Sequence, residues 1–411
     1  MQLTKQRKQV VSLYISSLVG VFLGMVNSVI NTRALSPVLY GDVRYVQNII
    51  SFISSLLLVG FFVSGSRLLA LSTNETHSRR LRGAMCIILS ITICILTLAM
   101  ATIWYFNRNS DISSVMLVSI PLSSNILLLN YINTTAQGDN HIGRISFARL
   151  LPSALYCILA ALIYHYWGAT PSRMLILYNG LNIIVLTAII LSTKPSFSNV
   201  KESLHELYEE NKTYGFNVYI GSVAAVSTTY IAGITLGSFC EDNSSVGFYT
   251  LALTLTSPLA MLPSIIGTTY FKSFAVQNRI EKKILLSSVS ITLFTLVAFI
   301  LLIDFVVDFL YNEEYSSVST YSIFLAIGTC LHGLGDMFNR FLGSHGQGKS
   351  LRNSSFLCGV VLVFGSFLFV WLWGINGAII TKILSAVTYF AAMVVYYKKF
   401  TASTDTVIKA L

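Results

Sequence analysis

Three ionisable side chains recur at intervals of four residues inside one long apolar run near the end of the chain. They are His332, Asp336 and Arg340, and a spacing of four places them on one face of a helix. A charge inside a bilayer costs about 2.5–3.5 kcal/mol on insertion scales, so such residues are usually functional. A titratable histidine beside a carboxylate could bind a coupling ion, either H⁺ or Na⁺. The same residues could instead form a buried ion pair that only fixes helix packing.

Further basic residues lie within apolar runs or at their ends. Lys382 falls inside the last run, where it could extend to the membrane surface or place positive charge in a central cavity, and we favour the cavity. Arg33 and Arg44 flank a short loop after the first run, and Arg67 and Arg149 stand at the ends of later runs. Each arginine is a candidate substrate ligand, although a role as interface anchor is the more common one.

The first and seventh apolar runs are more polar than their neighbours. Asn27 and Asn31 are four residues apart in the first run. The seventh run carries Asn217, Tyr219, Ser222, Thr228, Thr229, Tyr230 and Thr235. Such side chains often only join helices by hydrogen bonds. Because both runs open a half of the chain, we expect them to line a hydrated cavity.

Nothing in the sequence indicates catalysis or a bound cofactor. Residues 343–350 read GSHGQGKS and match the nucleotide-binding pattern GxxxxGK[ST], but that chemistry needs a preceding strand in a soluble domain. We expect a flexible connection there, with phosphate contact by Lys349 as the lesser alternative. The six cysteines form no CxxC pair, so no metal site is predicted. An intramembrane glycan-processing enzyme stays the least favoured class.

Composition identifies the elements that must position these residues. Of 411 residues 54% are hydrophobic and 11% are charged, against about 25% charged in soluble proteins. A soluble protein is therefore excluded, and the continuous apolar runs exclude a β-barrel. We predict an all-α integral membrane protein with about twelve transmembrane helices. The runs lie near residues 11–31, 45–64, 83–106, 113–135, 146–167, 173–192, 214–238, 247–271, 284–303, 318–340, 354–374 and 376–397.

The basic residues alternate between connections. Most of the 27 lysines and arginines fall in the termini and in every second loop, which predicts that both termini are cytoplasmic. The net charge of +10 is thus mainly a topology signal. Since the basic residues do not cluster in one soluble face, we expect no nucleic-acid partner.

The two halves of the chain align with each other. At an offset of 206, Gly41 meets Gly247 and the pair Trp167-Gly168 meets Trp373-Gly374. We predict an N-terminal six-helix lobe at 1–192, a cytoplasmic linker at 193–212 that could form an amphipathic helix, and a C-terminal six-helix lobe at 213–411. Parallel repeats with a substrate site at their interface are typical of secondary transporters.

Two short motifs resemble a known family. The stretch from Arg33 to Gly41, RALSPVLYG, resembles the Leu-x-Pro-x-x-Tyr/Phe-Gly signature of the polysaccharide-transporter family in the multidrug/oligosaccharidyl-lipid/polysaccharide exporter superfamily. Residues 245–252, SVGFYTLA, are similar to its counterpart in the second half. The resemblance implies a V-shaped, MATE-like fold and an O-antigen flippase of the Wzx type, acting in lipopolysaccharide biosynthesis.

Such a flippase moves undecaprenyl-diphosphate-linked oligosaccharide across the bacterial inner membrane, from the cytoplasmic to the periplasmic leaflet, by alternating access. The resemblance further implies coupling to H⁺ or Na⁺, as in an antiporter, and as partners membrane lipids, an O-antigen polymerase and a chain-length regulator. The alternative is a cation-coupled drug exporter of the same superfamily. Those exporters rely on a carboxylate in the first lobe, whereas the deepest one here, Asp336, is in the second.

Overall fold

The computed structural model describes the backbone of residues 2–108 and 110–410, and the side chains of 16–108, 110–141, 143–216, 218–220, 229–271 and 273–403. Within these ranges all regular secondary structure is helical, as predicted. Contacts divide the chain into two compact units, Met1–Tyr230 and Ile231–Leu411. The six-plus-six lobe boundaries drawn from the repeat stay a prediction.

The first unit begins with nine helices and ends within a tenth. They are α1 (Gln2–Ala34), α2 (Pro37–Leu57), α3 (Phe61–Leu71), α4 (Glu75–Phe106), α5 (Ser113–Ser119), α6 (Asn125–Gly138), α7 (Ile142–Trp167), α8 (Pro171–Ser192), α9 (Val200–Glu210) and α10 (Phe216–Phe239). A short π-helical turn, Asn211–Gly215, joins α9 to α10.

The second unit contains the end of α10 and five further helices. They are α11 (Ser244–Thr269), α12 (Phe271–Phe274), α13 (Lys282–Leu310), α14 (Ser317–Ser344) and α15 (Gly348–Ala410). Helix α14 packs against α11, α13 and α15. Two of its glycines allow close approach: a Cβ at Gly333 would lie 2.9 Å from the backbone of Ala260, and one at Gly335 would lie 2.7 Å from the Tyr389 ring. Small residues of this kind bring membrane helices together.

Seven helices of the described chain are long and apolar enough to span a membrane, and the bent pair α2 and α3 adds an eighth candidate. Two predicted runs are broken. Run 45–64 bends by 57° between α2 and α3, where Val59 and Gly60 have positive φ. Run 113–135 divides into α5 and α6 around Pro121, because proline cannot donate the helical hydrogen bond.

The predicted repeat has a counterpart in the backbone. Gly168 and Gly374 both have positive φ, 72° and 54°, at the end of the fifth predicted run of each half. The kink at Gly374 divides the long helix α15 into two segments, which correspond to the last two runs. Gly41 and Gly247 are both buried near the start of the second helix of their halves. The aligned glycines are thus similar in φ or in burial, and the repeat itself stays a prediction.

The residues that follow α8 pack on α3 and α4 of the first unit. Ser196 donates its backbone N–H to the Arg79 carbonyl (2.8 Å), and the Arg79 side chain donates to the Lys194 carbonyl (2.8 Å). His77 and Glu206 lie 2.9 Å apart between α4 and α9. The predicted linker is thus held against the first unit at several points.

A buried ion cluster lies where α4 meets the end of α6. Asp139, with 6% of its side chain exposed, accepts from Arg82 (3.0 Å) and from Arg144 (3.1 Å). Arg82, with 5% exposed, also donates to the Thr193 carbonyl (3.1 Å) and to Glu75 (3.1 Å), whose carboxylate is 71% exposed. One buried carboxylate therefore neutralises parts of two guanidinium groups.

Replacing Asp139 should destabilise the first unit strongly. Asp139→Asn keeps the shape but leaves Arg82 and Arg144 without their shared counter-charge, and removing one partner of a buried ion pair costs about 3–5 kcal/mol. Thermal unfolding of the purified protein, followed by size-exclusion fluorescence, measures the change. Glu75→Gln is the matched control, because an exposed pair contributes only about 0–1 kcal/mol. Equal melting temperatures for the two variants would contradict this assignment.

Candidate functional site

A tyrosine–asparagine cluster joins α1 to α7 in the first unit. Tyr156 donates to Asn31 Oδ1 (2.5 Å), Tyr164 donates to the same oxygen (3.2 Å), and the two hydroxyls lie 3.0 Å apart. One turn earlier on α1, Asn27 Oδ1 accepts from the Cys157 thiol (2.9 Å). Asn27 and Asn31 are both buried, so the contacts described for these two candidates are hydrogen bonds between helices.

Arg44 on α2 is a guanidinium without a carboxylate partner. Its Nη1 donates to Gln47 (2.9 Å), and its Cζ lies 4.9 Å from the centre of the Tyr40 ring. No carboxylate of the described side chains lies within 4.0 Å, and Arg44 Nε is buried without a hydrogen-bond partner. Tyr156 and Tyr178 lie close enough to interact with it electrostatically.

The surroundings of Arg44 favour an anionic or hydroxyl-rich ligand. The rings of Tyr156 and Tyr178 meet edge to face, with centroids 5.5 Å apart. Nearby on α8, Asn179 is buried and accepts from Asn125 of α6 (2.9 Å). A guanidinium forms charge-assisted, often bidentate bonds with phosphate oxygens, and tyrosine and amide groups bind sugar hydroxyls. We call Arg44 with Tyr40, Tyr156 and Tyr178 the arginine–tyrosine site.

In the second unit, two of the three ionisable residues predicted to share a helix face, His332 and Asp336, contact α15. Tyr389 donates to Asp336 Oδ1 (2.9 Å) and accepts from the Asn339 amide (2.9 Å). The His332 ring stacks on the Tyr389 ring with centroids 4.5 Å apart. Since Gly335 admits the Tyr389 ring, the close approach of α14 and α15 positions this contact. We call His332, Asp336, Tyr389 and Asn339 the α14–α15 cluster.

Lys382 joins this cluster, and Arg340 does not. Lys382 is partly buried and close enough to His332 for their charges to interact. Arg340 is exposed, and its side-chain stem packs near Gly267 of α11. Among the described side chains, no ion pair within 4.0 Å connects His332, Asp336 and Arg340. The partner of Asp336 is a tyrosine hydroxyl.

The remaining predicted ligands lie apart from the arginine–tyrosine site and from the α14–α15 cluster. Arg67 pairs with Glu210 and covers the ring of Tyr214 at 4.9 Å, so it holds the linker. Arg33 is exposed near the end of α1, and Arg149 is exposed on α7. In the seventh run, the side chains of Asn217, Ser222 and Thr228 lie outside the described residues.

The nucleotide-binding pattern at 343–350 has a structural role. His345 contacts the carbonyls of Phe341 (2.9 Å) and Gln277 (3.1 Å), while Lys349 is exposed in the first turn of α15. The loop joins two helices, and within the described chain no strand precedes it. In the same ranges, no group of three or more His, Cys, Asp or Glu residues could hold a metal ion.

The tyrosines of both clusters were not predicted from the sequence. Tyr156 and Tyr164 are eight residues apart on α7 and so share a face, which was an available signal. Tyr389 comes seven residues after Lys382 and four after Ser385, so it shares a helix face with both, and this spacing was also an available signal.

Comparison with known proteins places the chain in a family. Residues 7–275, more than half of the chain, match the sequence model of a family described as "Polysaccharide biosynthesis protein". The chain therefore belongs to this family. No curated protein sequence matches it.

Solved structures with the same fold are transporters. A lipid II flippase, MurJ, in an inward closed conformation is 14% identical, with 95% of this chain and 89% of that chain covered and a TM-score of 0.73. An inward-facing multidrug resistance MATE transporter of the MOP superfamily is 15% identical, with 95% and 98% covered and a TM-score of 0.72. A MOP superfamily transporter from Pyrococcus furiosus is 13% identical, with 96% of each chain covered and a TM-score of 0.58. The chain thus has the fold of this transporter superfamily.

The hydrogen bonds of Asn31 should contribute measurably to stability. Asn31→Ala removes the acceptor of two tyrosine hydroxyls, and bonds between membrane helices contribute about 0.6 kcal/mol each on average, with a maximum near 1.7. We expect a loss of about 1–2 kcal/mol, measured as a lower midpoint in thermal unfolding. Asn182→Ala serves as control, because Asn182 donates only to the Tyr178 carbonyl of its own helix. A midpoint unchanged by Asn31→Ala would contradict the bonding described here.

Proposed function

We propose that this member of the polysaccharide biosynthesis protein family is a flippase for lipid-linked oligosaccharides. Its substrate is an undecaprenyl-diphosphate-linked O-antigen unit, which it moves from the cytoplasmic to the periplasmic leaflet of the bacterial inner membrane by alternating access. The alternation of basic residues in the loops supports cytoplasmic termini. The delivered units would pass to an O-antigen polymerase with its chain-length regulator.

The carrying observation is that the guanidinium of Arg44, which lies beside the Tyr40 ring, has no carboxylate partner among the described side chains. A positive charge in a membrane-spanning segment is costly unless something compensates it. A diphosphate would supply that compensation while the substrate is bound, and the hydroxyls and amides around Arg44 suit a saccharide. A cationic drug would be repelled by Arg44, so this site supports the flippase over the exporter alternative.

The α14–α15 cluster is our candidate for ion coupling. Asp336 is held by the Tyr389 hydroxyl, and His332 lies on the same ring, so a proton-accepting carboxylate and a titratable imidazole are adjacent. Lys382 adds a positive charge close to His332. A Na⁺ ion would have to enter beside this cation, whereas a proton can bind to the carboxylate or the imidazole directly. We therefore favour H⁺ as the coupling ion.

Loss of Arg44 should impair translocation of the lipid-linked unit. For Arg44→Gln we expect at least about a tenfold lower flipping rate, because a charge-assisted contact of about 1.5–3 kcal/mol is lost. The assay measures protection of a fluorescent polyprenyl-diphosphate oligosaccharide from an external quencher in proteoliposomes. Arg44→Lys should keep part of the rate.

Arg108→Gln is the matched control, because Arg108 lies over Tyr105 in a connection between helices. In the host, deletion of the gene should abolish surface O-antigen and leave lipid-linked units on the cytoplasmic leaflet. Normal surface polysaccharide in the deletion strain would refute the proposed function, and changed sensitivity to cationic compounds there would favour the exporter.

Loss of Asp336 should uncouple transport from the proton gradient. We expect Asp336→Asn to retain membrane abundance but to lose at least about nine-tenths of the flipping driven by an imposed pH gradient, because the neutral amide cannot exchange a proton. Asp308→Asn, on the exposed face of α13, is the control. A fully active Asp336→Asn variant would remove this carboxylate from the mechanism. Drive by a Na⁺ gradient instead would overturn the choice of ion.

A further inference from the structure

A surface groove between α7 and α8 lies outside both clusters. It has a volume of about 590 Å³, which is within the usual range of ligand pockets. Nine residues line it, namely Gly143, Arg144, Phe147, Leu151, Ile184, Val185, Ala188, Ile189 and Ser192. Both of its walls belong to membrane-spanning helices. Because both helices can cross the membrane, part of the groove faces the hydrocarbon layer.

The groove is polar at one end only. Arg144 near the start of α7 and Ser192 at the end of α8 stand together at that end. From there the lining is apolar as far as Leu151 and Ile184, a distance of about 10.5 Å along α7 at 1.5 Å per residue. The open space begins at Gly143, where an added Cβ would have no neighbour within 4 Å. This arrangement matches a molecule with a charged head and a long apolar chain.

Arg144 gives the polar end a guanidinium with unused N–H donors. Its Nη1 donates to Asp139, whose other oxygen is already taken by Arg82. With its side chain 30% exposed, Arg144 has further N–H groups that bond no described residue. A phosphate at the polar end could therefore accept from the Arg144 N–H groups that Asp139 does not use.

We propose that this groove binds the polyprenyl chain of a polyprenyl diphosphate, with its phosphates on Arg144. The inference rests on the proposed function and adds an entry site, separate from the arginine–tyrosine site, where the substrate binds before its diphosphate moves to Arg44. A groove between a single pair of helices suits one chain, whereas a glycerophospholipid carries two. The occupant is therefore the single-chain lipid.

Photocrosslinking of the full-length chain tests the proposal. The probe is a polyprenyl diphosphate with a diazirine in its second isoprene unit, added to the protein in phosphatidylethanolamine nanodiscs, and labelled peptides are identified by mass spectrometry. Labelling should concentrate on residues 143–151 and 184–192. Ala188→Trp, which fills the groove, should lower it at least tenfold. Ile176→Trp is the matched control, since Ile176 is exposed on α8 outside the groove.

Variants of Arg144 test the proposed contact with the phosphates. Arg144→Gln should weaken labelling about tenfold and Arg144→Lys less, with melting temperatures recorded for both because Arg144 also contacts Asp139. The proposal would be overturned if the groove were labelled equally in Ala188→Trp and in the wild type. Displacement of the probe by phosphatidylglycerol as effectively as by unlabelled polyprenyl diphosphate would also overturn it. If labels fall elsewhere while the proteoliposomes still flip the oligosaccharide, the groove is wrong and the flippase stands. If the groove is labelled but nothing is flipped, the proposed function fails and the lipid site stands.

Discussion

Hydrocarbon offers no hydrogen-bond partners, so every polar group in a spanning helix must find its partner within the protein or its substrate. Asn31 meets this requirement with two tyrosines of α7, and Asp336 meets it with Tyr389 of α15. These bonds fix which helices are neighbours and how they are rotated. Arg44 is one of several exceptions among the described residues, because its Nε is buried without a partner, as are Arg82 Nε and the hydroxyl of Ser322. A ligand with acceptor oxygens would satisfy such a buried donor.

The two units meet the same constraint with different chemistry. In the first, an unpaired cation is surrounded by neutral hydroxyls and amides, a setting that suits a large anionic saccharide. In the second, a carboxylate, an imidazole and an ammonium lie close together, a setting that suits the exchange of a small ion. In each unit this setting is made by a few side chains on two or three helices.

Much of the fold was predictable, because spanning helices must be about 20 apolar residues long and the charges between them report topology. The breaks within runs 45–64 and 113–135 were not predicted, since they depend on backbone torsions and on a single proline. The common face of His332 and Asp336 follows from local spacing. Their contact with Tyr389, some fifty residues later, depends on which helices pack together, and one sequence does not specify that.

The docking of residues 193–215 on α3 and α4 affects how the chain folds during synthesis. A nascent chain that ends at residue 192 lacks the Thr193 carbonyl for Arg82, the Ser196 amide for Arg79 and the Glu206 carboxylate for His77. The first unit can complete its packing only after the connection to the second has emerged. Since domains fold largely as units while they are made, the first folding unit extends past residue 192, where the predicted N-terminal lobe ends. The predicted lobe boundary therefore does not coincide with the end of the first folding unit.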